Sequence, residues 1–196
     1  MKKGPFLKLV LALSLATLFS GCASVSQEAT QTPIPPPSSP IVAGDSSLSM
    51  SGEDYASRLP AHIDTHGEKT ILVDPNVHAW GAYGADGYLI RAGLAASGAN
   101  WCHDTGRPCR TSTGSFRITS LGGADCKSSI YPKPKGGGPM PYCMFFHGSM
   151  ALHGSPMMAD ANISHGCVRI PVSDAEWIRY NFANVGTRII IKPYIS

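Results

Sequence analysis

Short runs of β-branched and apolar residues, separated by Gly, Pro and Asp, recur from Thr70 to the C-terminus. Such runs predict β-strands, because branched and aromatic side chains pack well on a pleated sheet. One later stretch has helical spacing instead, with Ser173 as N-cap and Asp174 and Glu176 in the first turn. The pattern predicts a β-rich α+β domain with one helix on its C-terminal side. The predicted strands cover residues 70–73, 77–83, 88–92, 115–119, 142–146, 150–152 and 187–191.

The first 22 residues have the pattern of an export signal. Three lysines within the first eight residues precede an apolar run over residues 9–19, which is about half of the ~20 residues needed to span a bilayer. The segment ends at Cys22 and resembles a bacterial lipoprotein signal, in which that cysteine is lipidated and anchors the protein. Ala23 implies, by the same resemblance, the outer membrane. The alternative is an ordinary signal peptide with an incidental cysteine, and both interpretations predict a periplasmic or cell-envelope location.

Residues 23–57 are rich in Ser, Thr, Gln and Pro, with five prolines between positions 33 and 40. This composition predicts an extended, polyproline-like linker that tethers the folded domain to the anchor. A disordered tail without a tethering role is the alternative. The sequence therefore predicts three parts, a signal at 1–22, a linker at 23–57 and a folded domain at 58–196.

The charge balance argues against one large class of function. The chain has 16 Lys+Arg and 13 Asp+Glu, a formal net charge of +3, and removal of the three lysines of the signal leaves 13 of each. A protein that binds nucleic acid needs a basic field to displace counterions. No such field remains, so we expect no nucleic-acid partner.

Five cysteines remain after Cys22, an odd number for an exported protein in an oxidising compartment. If Cys167 is the unpaired one, the other four allow three connectivities. We favour Cys102–Cys109 and Cys126–Cys143, because each pair closes a short loop that contains Gly or Pro. An unpaired thiol in that compartment needs an explanation, and catalysis is one.

The stretch Ser164-His165-Gly166-Cys167, preceded by His153-Gly154, contains the residue types of an acyl-transfer site. A cysteine is a nucleophile as its thiolate, and a histidine can remove the thiol proton and later protonate a leaving amine. Gly166 permits a tight turn that exposes the sulfur and directs backbone N–H groups towards an oxyanion, and the Ser164 hydroxyl can brace that turn. The alternative reading is a buried thiol among ordinary surface imidazoles.

Two segments, Ala-Leu-His-Gly-Ser at 151–155 and Ser-His-Gly-Cys-Val-Arg at 164–169, resemble the signature of the L,D-transpeptidase catalytic domain family. An upstream element, Thr-Ser-Thr-Gly-Ser-Phe-Arg-Ile at 111–118, is similar to a third family motif, with Ser112 where the family has Pro. The similarity extends over residues 69–193. It implies the family's fold, a β-sandwich of mixed sheets with a helix on the C-terminal side.

The resemblance also implies a role for each matching residue. Cys167 matches the nucleophile and His153 the general base and acid. His165 and Gly166 match the turn that forms the wall of the site and the oxyanion hole. Arg169 matches a position that orders the site or binds a substrate carboxylate.

His147, in the sequence His-Gly-Ser, is an alternative base at a tolerable spacing from Cys167. The apolar residues before His153 match the family better, so we favour His153. If one strand contained both histidines, their separation of six residues would place them on the same face, and proximity alone would not distinguish them.

By resemblance, the reaction is acyl transfer on peptidoglycan. Cys167 attacks the carbonyl at position three of a tetrapeptide stem and releases D-Ala, and the acyl group passes to an amine (a 3→3 cross-link or an attached protein) or to water. No cofactor or metal is implied, and carbapenems should acylate Cys167. The main alternative is a catalytically silent cell-wall-binding or adhesion lipoprotein on the same fold.

Two other classes of enzyme are weaker alternatives. A zinc hydrolase could use ligands from His147, His153, His165 and Cys167, but no paired metal motif supports it. In a papain-like peptidase the cysteine precedes its histidine, whereas here the candidate base precedes the cysteine.

Overall fold

The structure is a computed structural model that describes residues 52–195; the predicted signal, Cys22 and most of the predicted linker lie outside this range. Within it, no helix has the length and apolar character needed to cross a membrane. The elements are α1 (Gly52–Ala56), β1 (Thr70–Asp74), β2 (Ala79–Tyr83), β3 (Leu89–Leu94), β4 (Gly114–Arg117), β5 (Ser120–Leu121), β6 (Met144–His147), β7 (Met150–Gly154), β8 (Val168–Ile170), α2 (Val172–Trp177) and β9 (Arg188–Ile191), with a π-helical turn (Ile178–Phe182) after α2.

The strands form two mixed sheets. The five-stranded sheet has the order β3-β2-β1-β9-β4, and the four-stranded sheet has the order β5-β6-β7-β8. Most neighbours are antiparallel, but β1 pairs with β9 in parallel and β7 pairs with β8 in parallel. The predicted fold class, β-rich α+β with mixed sheets, is confirmed.

Apolar side chains of both sheets meet in one core. Ile71 of β1 and Ile189 of β9 are fully buried there, together with Leu152 of β7 and Val168 of β8. Burial of this kind stabilises by about 1.5–3 kcal/mol for each large aliphatic side chain. The core fixes β7 and β8 side by side, and the segment joining them contains the Ser-His-Gly-Cys motif.

The folded region begins before residue 58, the predicted start of the domain. Helix α1 lies in the predicted linker, and Tyr55 is only 6% exposed. Tyr55 and Leu59 pack in a second apolar cluster with Leu72 and Tyr83. Because the preceding residues are polar, the sequence predicted linker where this short helix lies. The helix is stabilised by tertiary packing and not by its own propensity.

The late helix also differs from its prediction. It begins at Val172 with Pro171 at the N-cap, and no side chain caps it, so Ser173 lies inside the helix. Asp174 is buried and contacts Arg91 of β3 at 2.6 Å. Asp174 lies in the first turn of the helix, as predicted, and is held as well by a cation on the neighbouring sheet.

Candidate active site

A cleft of about 790 Å³ lies beside the β7–β8 edge and is lined by Cys167, His153, His165 and Arg169. Loop residues from three segments also line it: Asp104 and 107–110 after β3, 127–133 and 138–140 before β6, and 155–157 after β7. Clefts of this size, with apolar walls and a few polar groups, are typical of small-molecule and peptide sites. The cleft therefore contains the cysteine and histidine that the sequence singled out.

The parallel pairing of β7 with β8 positions the reactive residues. Leu152 pairs with Val168, and both side chains point into the core. Side chains alternate along a strand, so their neighbours His153 and Arg169, which also pair with each other, point to the opposite side. Cys167 directly precedes Val168 and lines the same cleft.

The turn before Cys167 is braced by Ser164. The Gly166 N–H donates to Ser164 Oγ at 3.1 Å, and the same hydroxyl donates to the Cys167 carbonyl. Gly166 has φ +126°, a conformation that side chains with a Cβ rarely adopt. Gly166 thus serves the turn as expected, but its N–H is occupied by Ser164 and is not free to bind an oxyanion.

Thr111 also contacts this turn, and the sequence did not single it out as a site residue. It is 1% exposed, its Oγ1 accepts the Gly98 N–H at 2.9 Å, and the same hydroxyl lies 3.5 Å from the Cys167 carbonyl oxygen. Thr111 is the first residue of the 111–118 segment, which resembles a family motif. That resemblance was the one sequence feature that could have indicated its role. Thr111 connects the loop after β3 to the backbone of Cys167.

His153 is held in one orientation. Its Nδ1 lies 2.8 Å from the Gly154 carbonyl oxygen, which accepts the Nδ1–H and leaves the Nε2 lone pair as the basic site. The residue is 5% exposed. Burial lowers the pKa of His153 to about 4, an effect that the Gly154 carbonyl opposes and the nearby Arg169 cation reinforces. His153 is therefore neutral near pH 7.

Cys167 is the one free thiol among the described residues. Burial raises its pKa, whereas the positive charge of Arg169 acts in the opposite direction. At neutral pH the resting pair is accordingly a thiol and a neutral imidazole. Such a pair reacts when the imidazole takes the thiol proton as the sulfur attacks.

His165 forms part of the cleft wall, where contacts with loop residues hold its ring. Its Nε2 lies 2.8 Å and 2.9 Å from the two carboxylate oxygens of Asp104, and its ring packs on Tyr131 at 4.5 Å between centroids. Arg107 donates to the Tyr131 hydroxyl at 2.8 Å. The Asp104 partner is 61 residues away in sequence, so no local pattern could have indicated it.

His147 lies outside this arrangement. It ends β6, is exposed, and packs on the ring of Phe116 at 4.9 Å between centroids. His153 is in β7, because the chain reverses at Gly148, which has φ +55°. The two histidines are on different strands, so the same-face argument does not apply, and His153 is the one that lines the cleft.

The structure contains the disulfides Cys102–Cys109 and Cys126–Cys143, the pairing that the loop lengths favoured. Each closes a loop that borders the cleft. The first loop presents Asp104 and Arg107, and the second presents Tyr131. The disulfides therefore fix the walls of the site.

One group of potential metal ligands occurs within residues 52–195, formed by Cys102, Asp104 and His165. It is not the set that the zinc alternative named. Because the Cys102 sulfur is bonded to Cys109, the group offers two ligands, fewer than zinc sites use. The donor set does not fit a zinc centre.

Solved L,D-transpeptidases share the fold. A structure of residues 123–326 of the enzyme from Xylanimonas cellulosilytica is 23% identical, with a TM-score of 0.59 over 72% of this chain and 70% of that one. The enzyme from Mycobacterium smegmatis is 21% identical, with a TM-score of 0.52 over 64% of this chain and 59% of that one. L,D-transpeptidase 3 from Mycobacterium tuberculosis, in complex with a faropenem-derived adduct, is 20% identical, with a TM-score of 0.51 over 64% and 60%.

No curated protein matches this chain. A family match does: residues 68–191, well over half of the chain, match the L,D-transpeptidase catalytic domain designated YkuD. This range contains both sheets and every residue of the cleft described above. The chain belongs to the L,D-transpeptidase catalytic domain family.

Proposed function

We propose that this protein is an exported L,D-transpeptidase that acts on the tetrapeptide stems of peptidoglycan, with Cys167 as nucleophile and His153 as general base and acid. The observation that carries the proposal is that one cleft of a family domain brings together a free thiol and an oriented, neutral imidazole. A silent binding protein would need neither the free cysteine nor the fixed Nδ1–H contact.

In the first half-reaction, His153 Nε2 accepts the Cys167 proton as the sulfur bonds to the carbonyl carbon at stem position three. The carbonyl electron pair moves to oxygen and forms a tetrahedral oxyanion. When that pair returns, the C–N bond breaks, His153 gives its proton to the leaving nitrogen, and D-Ala departs. A thioester on Cys167 remains.

In the second half-reaction an amine attacks the thioester, His153 takes the amine proton, and the C–S bond breaks. The sulfur leaves with the electron pair and regains a proton from His153. If the acceptor is an amine of another stem, the product is a 3→3 cross-link; if it is water, the reaction is an L,D-carboxypeptidation. Attachment to a protein amine follows the same steps.

Arg169 has an electrostatic part in both halves. Its positive charge acts on Cys167 and on His153, lowering the pKa of each. A cation so placed favours negative charge on the sulfur and on the oxyanion, and disfavours a permanently protonated imidazole. We assign Arg169 this stabilising role in addition to binding a substrate carboxylate.

The same proposal includes an envelope location. The export signal and Cys22 would anchor the chain in the outer membrane, and the Pro-rich residues 23–57 would let the domain reach peptidoglycan. Metabolic labelling with a radioactive fatty acid tests the anchor, with Cys22→Ala as the variant expected to lose the label. Retention of the label in that variant would overturn lipidation at Cys22.

The function is tested by incubating the purified protein with tetrapeptide muropeptides and following the products by mass spectrometry. We expect D-Ala release, together with dimers or tripeptides, and loss of all turnover in Cys167→Ala. Imipenem should add to the wild type once per chain and not to Cys167→Ala; related proteins have been solved with imipenem and with a faropenem-derived adduct. Neither turnover nor adduct would favour the silent binding protein.

A further inference from the structure

Positive charge is concentrated in the cleft. Of the 13 Lys+Arg and 13 Asp+Glu that follow the predicted signal, five cations but only one carboxylate line the cleft. The carboxylate, Asp104, already binds His165. The five cations are Arg107, Arg110, Lys127, Lys133 and Arg169.

Of the eight cations elsewhere in the described domain, four have a carboxylate partner. Four such ion pairs have distances from 2.6 to 3.0 Å, namely Arg58–Asp160, Arg91–Asp174, Arg117–Glu68 and Lys192–Asp74. No cation of the cleft forms an ion pair with a carboxylate of residues 52–195. Two of them donate to neutral acceptors, Arg107 to the Tyr131 hydroxyl and Arg110 to the Asn100 side-chain oxygen.

The other three cleft cations, Lys127, Lys133 and Arg169, have no side-chain hydrogen bond to any residue that the structure describes. A concave site with one sign of charge focuses the field and concentrates ligands of the opposite sign. Because eight Lys+Arg and twelve Asp+Glu remain outside the cleft after the predicted signal, the positive excess is confined to the cleft and points to an anionic ligand.

The two lysines belong to a loop of defined shape. The Cys126–Cys143 disulfide closes it, and backbone bonds from Met140 N–H to the Cys126 carbonyl and from Gly138 N–H to the Tyr131 carbonyl, both 2.8 Å, cross it. Lys127 directly follows Cys126. The loop can therefore present its charges at fixed positions on one wall of the cleft.

We infer that this wall selects acyl donors by charge: Lys127 and Lys133 favour stem peptides with free side carboxylates over the same peptides with those carboxylates amidated. The inference rests on the proposed function and specifies its substrate. Amidation removes the negative charge with little change in size, so the discrimination is electrostatic.

The expected effect is moderate, because both lysines are exposed. Exposed ion pairs contribute about 0.2–1 kcal/mol each, which corresponds to roughly 1.4- to 5-fold per lysine in kcat/KM. Two lysines together should give a preference of roughly 2- to 25-fold. Added salt should reduce the preference, since the Debye length falls from about 10 Å at 0.1 M to about 3 Å at 1 M.

The test compares two synthetic tetrapeptide muropeptides that differ only in amidation of the side carboxylates. Wild-type protein should give a higher kcat/KM with the free acid, and the ratio should approach one in Lys127→Gln/Lys133→Gln. Lys135→Gln is the matched control, since Lys135 is exposed on the same loop but does not line the cleft. It should keep the wild-type ratio, and thermal unfolding of all variants checks their folding.

Equal turnover of the two peptides by the wild type, or a ratio that the double substitution leaves unchanged, would overturn this inference while the proposed function stands. Absence of turnover with both peptides, together with absence of an imipenem adduct, would overturn the proposed function itself.

Discussion

Arg91 in β3 and Lys192, directly after β9, are each held by a carboxylate at 2.6 Å, whereas the cations of the cleft face no free carboxylate. The two regions differ in burial as well: the sheets bring apolar side chains together, and the cleft brings together a thiol, two imidazoles and several positive charges. Unpaired charge and a free thiol contribute little to stability. The contrast indicates that the buried faces of the sheets determine stability, whereas the cleft side of β7 and β8 and the loops beside it determine reactivity.

The largest effect expected from this contrast is at His153. Replacement by Ala removes the proposed general base, and kcat/KM for D-Ala release should fall by about 10²- to 10⁴-fold. His147→Ala is the matched control, with an expected loss of less than about twofold, because His147 packs on Phe116 outside the cleft. Steady-state kinetics on both variants provides the measurement. Similar residual activities would mean that the assignment of the base is wrong.

A substitution in the core of the sheets should have the opposite effect, a loss of stability without a loss of reactivity. Ile189 of β9 is fully buried between the layers, and Ile189→Ala should lower the free energy of unfolding by about 2–5 kcal/mol through lost contacts and a cavity. Denaturant titration measures this loss. Val185→Ala, at a position 64% exposed, should change stability by less than about 0.5 kcal/mol. Each variant, while folded, should still take one imipenem per chain, and loss of labelling in folded Ile189→Ala would contradict the separation of roles.

A smaller effect should appear in the pH profile. The base must be neutral to act, and because burial lowers the pKa of His153 to about 4, it stays neutral well below the range of an exposed histidine. Measured at constant ionic strength, kcat/KM should be nearly flat from pH 7 to about pH 5 and fall at lower pH. A half-maximal point near 6.5, the pKa of an unperturbed imidazole, would indicate that an exposed histidine is the base.

The sequence predicted much of the sheet framework and the centre of the site. β1 and β9 were recognisable because Thr-Ile-Leu-Val and Arg-Ile-Ile-Ile are compact branched runs next to turn residues. Cys167 and His153 were recognisable because the segments 151–155 and 164–169 resemble the signature of the family. In both cases the signal is contained in a few consecutive residues.

The features that the sequence did not indicate are strand β8 and the partners of His165 and Cys167, and they depend on contacts between distant segments. Strand β8 has only three residues and is stabilised by its parallel partner β7. The carboxylate that holds His165 comes from a loop after β3, and the buried hydroxyl of Thr111 reaches the backbone of Cys167 across 56 positions. Such pairs become visible only when the fold brings the segments together.

Strand β9 lies between β1 and β4 in the five-stranded sheet, so the segment Arg188–Ile191 pairs with residues 70–73. The middle of that sheet cannot close until almost the whole domain has emerged from the ribosome. Contacts this far apart along the chain slow folding. Deletion of β9 would leave β1 and β4 without their common neighbour, so a chain cut short before residue 188 should never acquire a working cleft.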